Sequence, residues 1–324
     1  MISNERSCFA EIITNKSPNY VDLFHQKDAG PVLLAHTWEN FVTLSVLHFP
    51  QFEPNIEEFT YENLTDIEHG PSILKCAWSP RTSMLIHPVC IIFCTIGLDF
   101  QLRLVSVDNK MKVSIKIIGQ HKSFVNDCSF QPIRGNQVAS VGDDKKCRIW
   151  NVDSCEEEMC IPLTSAGKSV KWNPNDPTKL LVAEQNGCVR LYDTVNYQPV
   201  LSLNCLRATS GLSSCDWSIL NPLKIGAVIG KEWHVWDMSR GSLPVSSGQA
   251  HTGCGREFRW SNCNDAMFST RGTPNNQAKV FLGEDKLPIS IQTKVGHGIS
   301  WHNLLPVCAI GGNRKILLYE VDVL

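Results

Sequence analysis

Short apolar or alternating runs of about four to eight residues recur along the whole chain, separated by Gly, Pro, Asn and Asp turns, and none shows a helical period. Two phrases repeat within this pattern. The first is an apolar stretch ending in an aromatic, often with Pro two residues later. It appears as Ala77-Trp78-Ser79-Pro80, Ser129-Phe130-Gln131-Pro132 and Lys171-Trp172-Asn173-Pro174, and more weakly as Asp216-Trp217-Ser218, Arg259-Trp260-Ser261 and Ser300-Trp301-His302. The aromatics step by 52, 42, 45, 43 and 41 residues. The second phrase is a strand ending in an aromatic. It reads Arg148-Ile149-Trp150-Asn151, Arg190-Leu191-Tyr192-Asp193, His234-Val235-Trp236-Asp237, Lys279-Val280-Phe281 and Leu317-Leu318-Tyr319, with Arg103-Leu104-Val105 as a copy that lacks the aromatic. Seven of the nine Trp fall on these phrases, leaving Trp38 and Trp233.

A β-rich run and a polar turn lie between the phrases, such as Val138-Ala139-Ser140-Val141 before Gly142-Asp143-Asp144, and another alternating run follows the second phrase. Each unit is therefore four short strands in about 40 to 45 residues, the length of a WD-repeat propeller blade. Six first-phrase strands are plain. Tyr20-Val21-Asp22-Leu23-Phe24 makes a degenerate seventh, with Phe24 in the aromatic place. The last unit runs out at Tyr319 one strand short, whereas the strand around Phe9 has no partner of its own. Pairing these two completes the last blade and removes the open sheet edges that invite aggregation. The expected fold is all-β, one seven-bladed β-propeller domain over residues 1–324, which overrides a length prior of about two domains.

One blade carries a fuller polar signature. His121 precedes its inner strand, Ser140 lies on its second strand, Asp144 in the following turn and Trp150 on its third strand. These four predict a structural hydrogen-bonded network, Trp150 donating its indole N–H to Ser140. A Ser/His/Asp catalytic reading is set aside, since the repeat accounts for all three residues and no nucleophile elbow accompanies them. Blade four keeps Asn186 and Tyr192 without a matching His, and blade five keeps Trp236-Asp237. The network is thus expected to be degraded outside blade three.

Composition narrows the function classes. Thirty Lys and Arg balance 32 Asp and Glu for a formal charge of −2, which argues against direct nucleic-acid binding through a basic stripe. No apolar run reaches the length of a membrane span, and the first six residues do not read as a signal peptide. The 14 Cys include no Cys-x-x-Cys pair, so free, packed thiols are expected. His251, Cys254 and Cys263 match no common zinc spacing, and no metal or cofactor is expected. No phosphate loop, paired-carboxylate pattern or nucleophile motif is present, so neither catalysis nor a small-molecule substrate is expected. Gly296-His297-Gly298 and Gly311-Gly312 read as turns. Residues 50–70 are acidic and read as a solvated loop around one outer strand, Phe59 to Leu64, with an interaction loop as the alternative.

The succession of later phrases goes further. Leu181-Val182-Ala183-Glu184-Gln185-Asn186-Gly187, Leu201-Ser202-Leu203, Lys224-Ile225-Gly226-Ala227-Val228-Ile229-Gly230, Phe258-Arg259-Trp260-Ser261, Gly298-Ile299-Ser300-Trp301-His302 and Leu305-Pro306-Val307-Cys308-Ala309-Ile310-Gly311-Gly312 follow in order. Over roughly residues 70–320 this resembles the small WD-repeat nucleoporins of the Y-shaped outer-ring complex of the nuclear pore. The resemblance implies a scaffold subunit at the nuclear envelope, serving protein and mRNA transport and the mitotic kinetochore. Its implied partners are the large propeller and helical-repeat subunit of one short arm of the Y and other nucleoporins of that complex. The alternative is a WD-repeat adaptor of a ubiquitin ligase or chromatin complex. Ligase receptors often carry Trp-Asp-x-Arg, but after Trp236-Asp237 the first Arg, Arg240, falls one residue late. The sequence assigns no partner-binding residue.

Overall fold

The computed structural model describes residues 8–24, 30–53, 55–84, 89–204, 211–283, 288–292, 295–296 and 298–321. The first six residues and His297 of the Gly296-His297-Gly298 turn lie outside them. Twenty-eight strands, β1 to β28, form seven antiparallel four-stranded sheets, and no helix occurs among the described residues. The fold is the seven-bladed β-propeller. Blades one to six each take four consecutive strands, from β2 (Tyr20–Phe24) to β25 (Ser290–Gln292). Blade seven combines β26 (Ile299–Trp301), β27 (Val307–Gly311) and β28 (Lys315–Glu320) with β1 (Ala10–Ile13). Ala10 pairs with Leu318 and Ile13 with Lys315, and the Phe9 amide donates to the Leu318 carbonyl at 3.0 Å.

The core is not central. Seven apolar clusters each join two successive blades, the last one joining blade seven to blade one. Both faces of every sheet are therefore buried, which explains why second and third strands read as almost continuous apolar runs. Trp233, outside both phrases, fills the seam between blades five and six against Phe268, at 5.1 Å between ring centres. Trp38 stacks on Phe41 at 4.5 Å and donates its indole N–H to Thr43.

The first phrase now has a physical meaning. Its aromatic packs into the seam, and the next residue caps the turn that follows. Gln131 Oε1 accepts the amides of Ile133, Arg134 and Gly135, and Asn173 Oδ1 accepts those of Asn175 and Asp176. Ser79, Ser218 and Ser261 each accept one amide in the same way. In blade seven His302 Nδ1 accepts the amides of Leu304 and Leu305, both at 3.0 Å. All six are buried polar side chains whose oxygen or nitrogen replaces water on the turn amides.

Blade one departs from expectation by one residue. Trp78 donates to the Asp22 carbonyl, as Trp172 does to the Ser129 carbonyl one blade pair on. Asp22 thus matches Ser129, so Leu23, not Phe24, holds the aromatic place. Phe24 instead lies against Trp78 at 5.4 Å. The acidic region also shifts: its outer strand, β5, runs Thr60–Glu68. Phe59 precedes it, packed against Phe9 and Phe49, so this segment is tied to the closing strand.

Closure is testable on adjacent residues of β1. Ile12 is 1% exposed, and Ile13 on the opposite side is 76% exposed. Ile12→Ala is expected to cost about 2–5 kcal/mol through the cavity it leaves at the blade seven–one seam. Ile13→Ala should stay within about 0.5 kcal/mol of wild type. Urea midpoints check this, and equal midpoints for the two variants would show that β1 does not seal the ring.

Candidate functional site

The strand alternation gives the ring two faces. The upper one carries the loops from outer strands to the next inner strands and the turns between second and third strands. His121, Asp144 and their partners line its rim in blade three. The structure brings all four expected network residues together. Trp150 Nε1–H donates to Ser140 Oγ at 2.8 Å, and Ser140 lies 2.7 Å from His121 Nε2. His121 Nδ1 is 3.0 Å from Asp144 Oδ1, whose other oxygen accepts the Lys122 amide. The indole N–H occupies the Ser140 oxygen, so the serine proton goes to Nε2 and Nδ1–H is donated to the carboxylate. Burial lowers the His121 pKa despite Asp144, in keeping with this neutral tautomer. Gly119 supplies the space, because a Cβ there would lie 2.6 Å from the Trp150 ring. The arrangement has triad geometry but no route for a substrate, since Ser140 is 0% exposed.

Part of this network also occurs where the sequence reading did not find it. His69 Nε2 is 2.7 Å from Thr95 Oγ1 in blade two, with Nδ1 donating to the Pro71 carbonyl. His251 Nε2 is 3.1 Å from Thr270 Oγ1 in blade six. Blade four substitutes Glu184, which accepts the amides of Thr164 and Ser165 at 2.8 Å and pairs with Arg190. The missed signal was a His in the loop before the inner strand and a hydroxyl on the second strand. In blade two their spacing is 26 residues instead of 19, which hides it. His251 is engaged with a threonine, and among the described residues no His, Cys, Asp or Glu group suited to a metal is gathered. The described cysteines are free thiols, mostly packed in the seams.

The channel wall is charged. Asp127, on the inner strand of blade three, meets Lys75 at 2.8 Å and Lys171 at 3.9 Å from the two neighbouring blades, and accepts the Ser169 hydroxyl and the Val170 amide. Burial opposes its ionisation, but the two lysines outweigh this and hold its carboxyl well below the usual range. Asp22 accepts the Ser300 hydroxyl at 3.0 Å, and burial pushes its pKa up to about 6. These contacts cross blade seams, so they rivet neighbouring inner strands to one another. The lower face, with the turns after the inner strands, opens into a depression of about 420 Å³. It also carries a concentration of exposed apolar side chains, including Ile133, Val195, Ile219, Leu220, Leu243 and Leu304. Leu74, Leu98 and Phe124 are exposed on the upper side. Isolated exposed apolar residues are ordinary, but a set on one face marks a surface suited to protein contact.

Fold and surfaces together define a WD-repeat propeller that presents binding faces. The WD domain, G-beta repeat, family matches residues 112–151. Across 304 residues the chain is 36% identical to nucleoporin Nup37 of Mus musculus, covering 93% of this chain and 92% of that protein. The Homo sapiens Nup37 is similar to the same extent, and the Drosophila melanogaster one is 31% identical over 297 residues, 90% of each chain. The chain belongs to the Nup37 family of nucleoporins.

Two predictions follow from the buried polar groups. His121→Ala should cost about 1–2 kcal/mol, leaving Ser140 and Asp144 short of a partner. Trp150→Ala should cost about 3–5 kcal/mol because it adds a cavity. Chemical denaturation at neutral pH measures both, and unchanged midpoints would remove the network from the stability account. Acid provides the other test. Burial brings His36, His251 and His302 down to about 4 from an ordinary 6.5. The unfolded chain binds these protons first, so the stability they contribute is full above 6.5 and lost as pH falls toward 4. Asp22, raised to about 6, works in the opposite sense below that pH, but as one group against three. Unfolding midpoints should therefore drop between pH 7 and 5. His302→Asn, which places the blade-four capping residue in blade seven, should lessen the slope. A flat profile, or an unchanged slope in the variant, would contradict this.

Proposed function

We propose that the protein is a structural scaffold subunit of the Y-shaped outer-ring complex of the nuclear pore, acting by binding and not by catalysis. The observation that carries this reading is similarity to Nup37 nucleoporins along nine-tenths of the chain. As a member of a nucleoporin family the protein works at the nuclear pore complex in the nuclear envelope. Its direct partner in this reading is the large propeller and helical-repeat subunit of one short arm, with the remaining Y-complex nucleoporins reached through it. Contributions to protein and mRNA transport and to the kinetochore follow from membership of that assembly. A rigid closed ring suits such a role, because its surfaces meet a partner without first paying the ordering cost of a flexible segment. Contact falls on blade edges and loops, and the exposed apolar side chains there are concentrated on the lower face.

Affinity purification of the tagged protein from its own cells, with imaging of the same tag, tests this. Outer-ring nucleoporins should co-purify and the tag should mark the nuclear rim. Recovery of cullin or chromatin subunits without outer-ring nucleoporins, and no rim signal, would overturn the reading in favour of an adaptor.

A further inference from the structure

The repeat supplies an internal control for one unusual side chain. At the second-strand position paired with the third residue before the seam aromatic, six blades carry small or apolar residues: Thr37, Ile96, Val141, Ala183, Val228 and Gly311. Blade six carries Arg271 there, paired across the strands with Glu257. Both are only 6% exposed. Arg271 Nε reaches Glu257 Oε2 at 3.3 Å, and Arg259 reaches Oε1 of the same carboxylate at 3.0 Å. Two guanidinium groups thus share one carboxylate. Among the described residues neither terminal nitrogen of Arg271 has a hydrogen-bond partner, and its Nη1 is fully buried.

The surroundings add positive charge. A cavity of about 220 Å³ at this mouth is lined by Arg271, Arg256, Lys75 and Lys168 together with Asn126 and Ser214. Lys75 is held by Asp127 and Lys168 by Asp143, whereas Arg256 is exposed and meets no carboxylate among the described residues. Blade seven contributes Gly298 at the rim, with φ +83°, where a Cβ would come within 2.5 Å of the Val21 amide nitrogen. Gly298 itself therefore adds no side chain to the mouth.

We propose that this upper mouth is an oxyanion-binding pocket, in which Arg271 and Arg256 together take one carboxylate or phosphate group. The guanidinium fork matches both anions, and its partly dehydrated setting strengthens the bond. A charged residue that breaks the pattern of six sister positions, with donors left unused, is what a binding site looks like within a repeat. The inference rests on blade six and its neighbours and is independent of the nuclear-pore reading.

Isothermal titration calorimetry of the full chain at low ionic strength tests it with two probes, pyrophosphate and a capped triglutamate peptide. Wild type should bind at least one of them saturably at a single site, and added salt should weaken binding. Arg256→Ala removes an exposed group with no carboxylate partner among the described residues and should weaken binding about tenfold. Arg271→Val installs the residue of blades three and five and should abolish binding. Binding of the peptide assigns the pocket to an acidic segment of a partner protein, and binding of pyrophosphate alone assigns it to a small phosphate ligand. Should Arg271→Val fail to fold by circular dichroism, Arg256→Ala decides. No saturable binding of either probe by wild type, or undiminished binding by Arg256→Ala, would overturn the proposal.

Discussion

Every blade of this propeller is apolar on both faces, and no sheet can satisfy that condition alone. Each must be covered on both sides by a neighbour, so stability is distributed over seven seams and none has a free outer layer. A linear stack would leave two apolar sheets facing water. The circle solves this only if its last member is complete, and blade seven becomes complete through β1. Ile12 accordingly joins Val21, Leu34, Ile316 and Leu318 in one cluster. The polar contacts at the centre obey the same rule, since Asp127 binds lysines from both adjacent blades and Ser300 reaches back to Asp22 across the closure.

The propeller was legible because its signal is repetitive. Trp78, Trp172, Trp217, Trp260 and Trp301 each fill an equivalent seam, and a period of this length leaves few alternatives. The pairing of the strands around Phe9 and Tyr319 was legible for a related reason, as the first had no local partner and the unit ending in the second was one strand short. Blade one was harder, because Leu23 fills its seam without an aromatic and only strand register distinguishes it from Phe24. The polar networks were partly hidden. The blade-three set follows the repeat spacing, but the His69–Thr95 pair is stretched by the longer first turn of blade two, and Glu184 does a similar task with different chemistry. Arg271 carried no sequence signal at all. Its oddity appears only once registers align it with Val141 and Val228.

Function was legible to a different depth. The absence of catalytic motifs and the balanced charge pointed to an interaction platform, and the order of phrases pointed to a family. The faces could not be ranked from sequence, because exposure of Ile219, Leu243 or Leu304 depends on which turn of a blade each occupies. The structure supplies that sorting, collecting a set of exposed apolar residues on one face and leaving a cationic mouth on the other.

The closing strand has a further consequence for biosynthesis. Glu11 and Lys315, which meet at 2.7 Å, are 304 residues apart in sequence. On a ribosome, blades one to six can assemble as each sheet emerges, because their pairings are local. The β1 segment has no such option. It leaves the ribosome before every blade and must remain unpaired until β28 has been made, presenting a strand edge and the Ile12 side chain until then. The interval before β28 emerges is therefore when the chain is most exposed to mispairing, with a second nascent copy or with its own completed blades. Chaperone demand should concentrate in that interval.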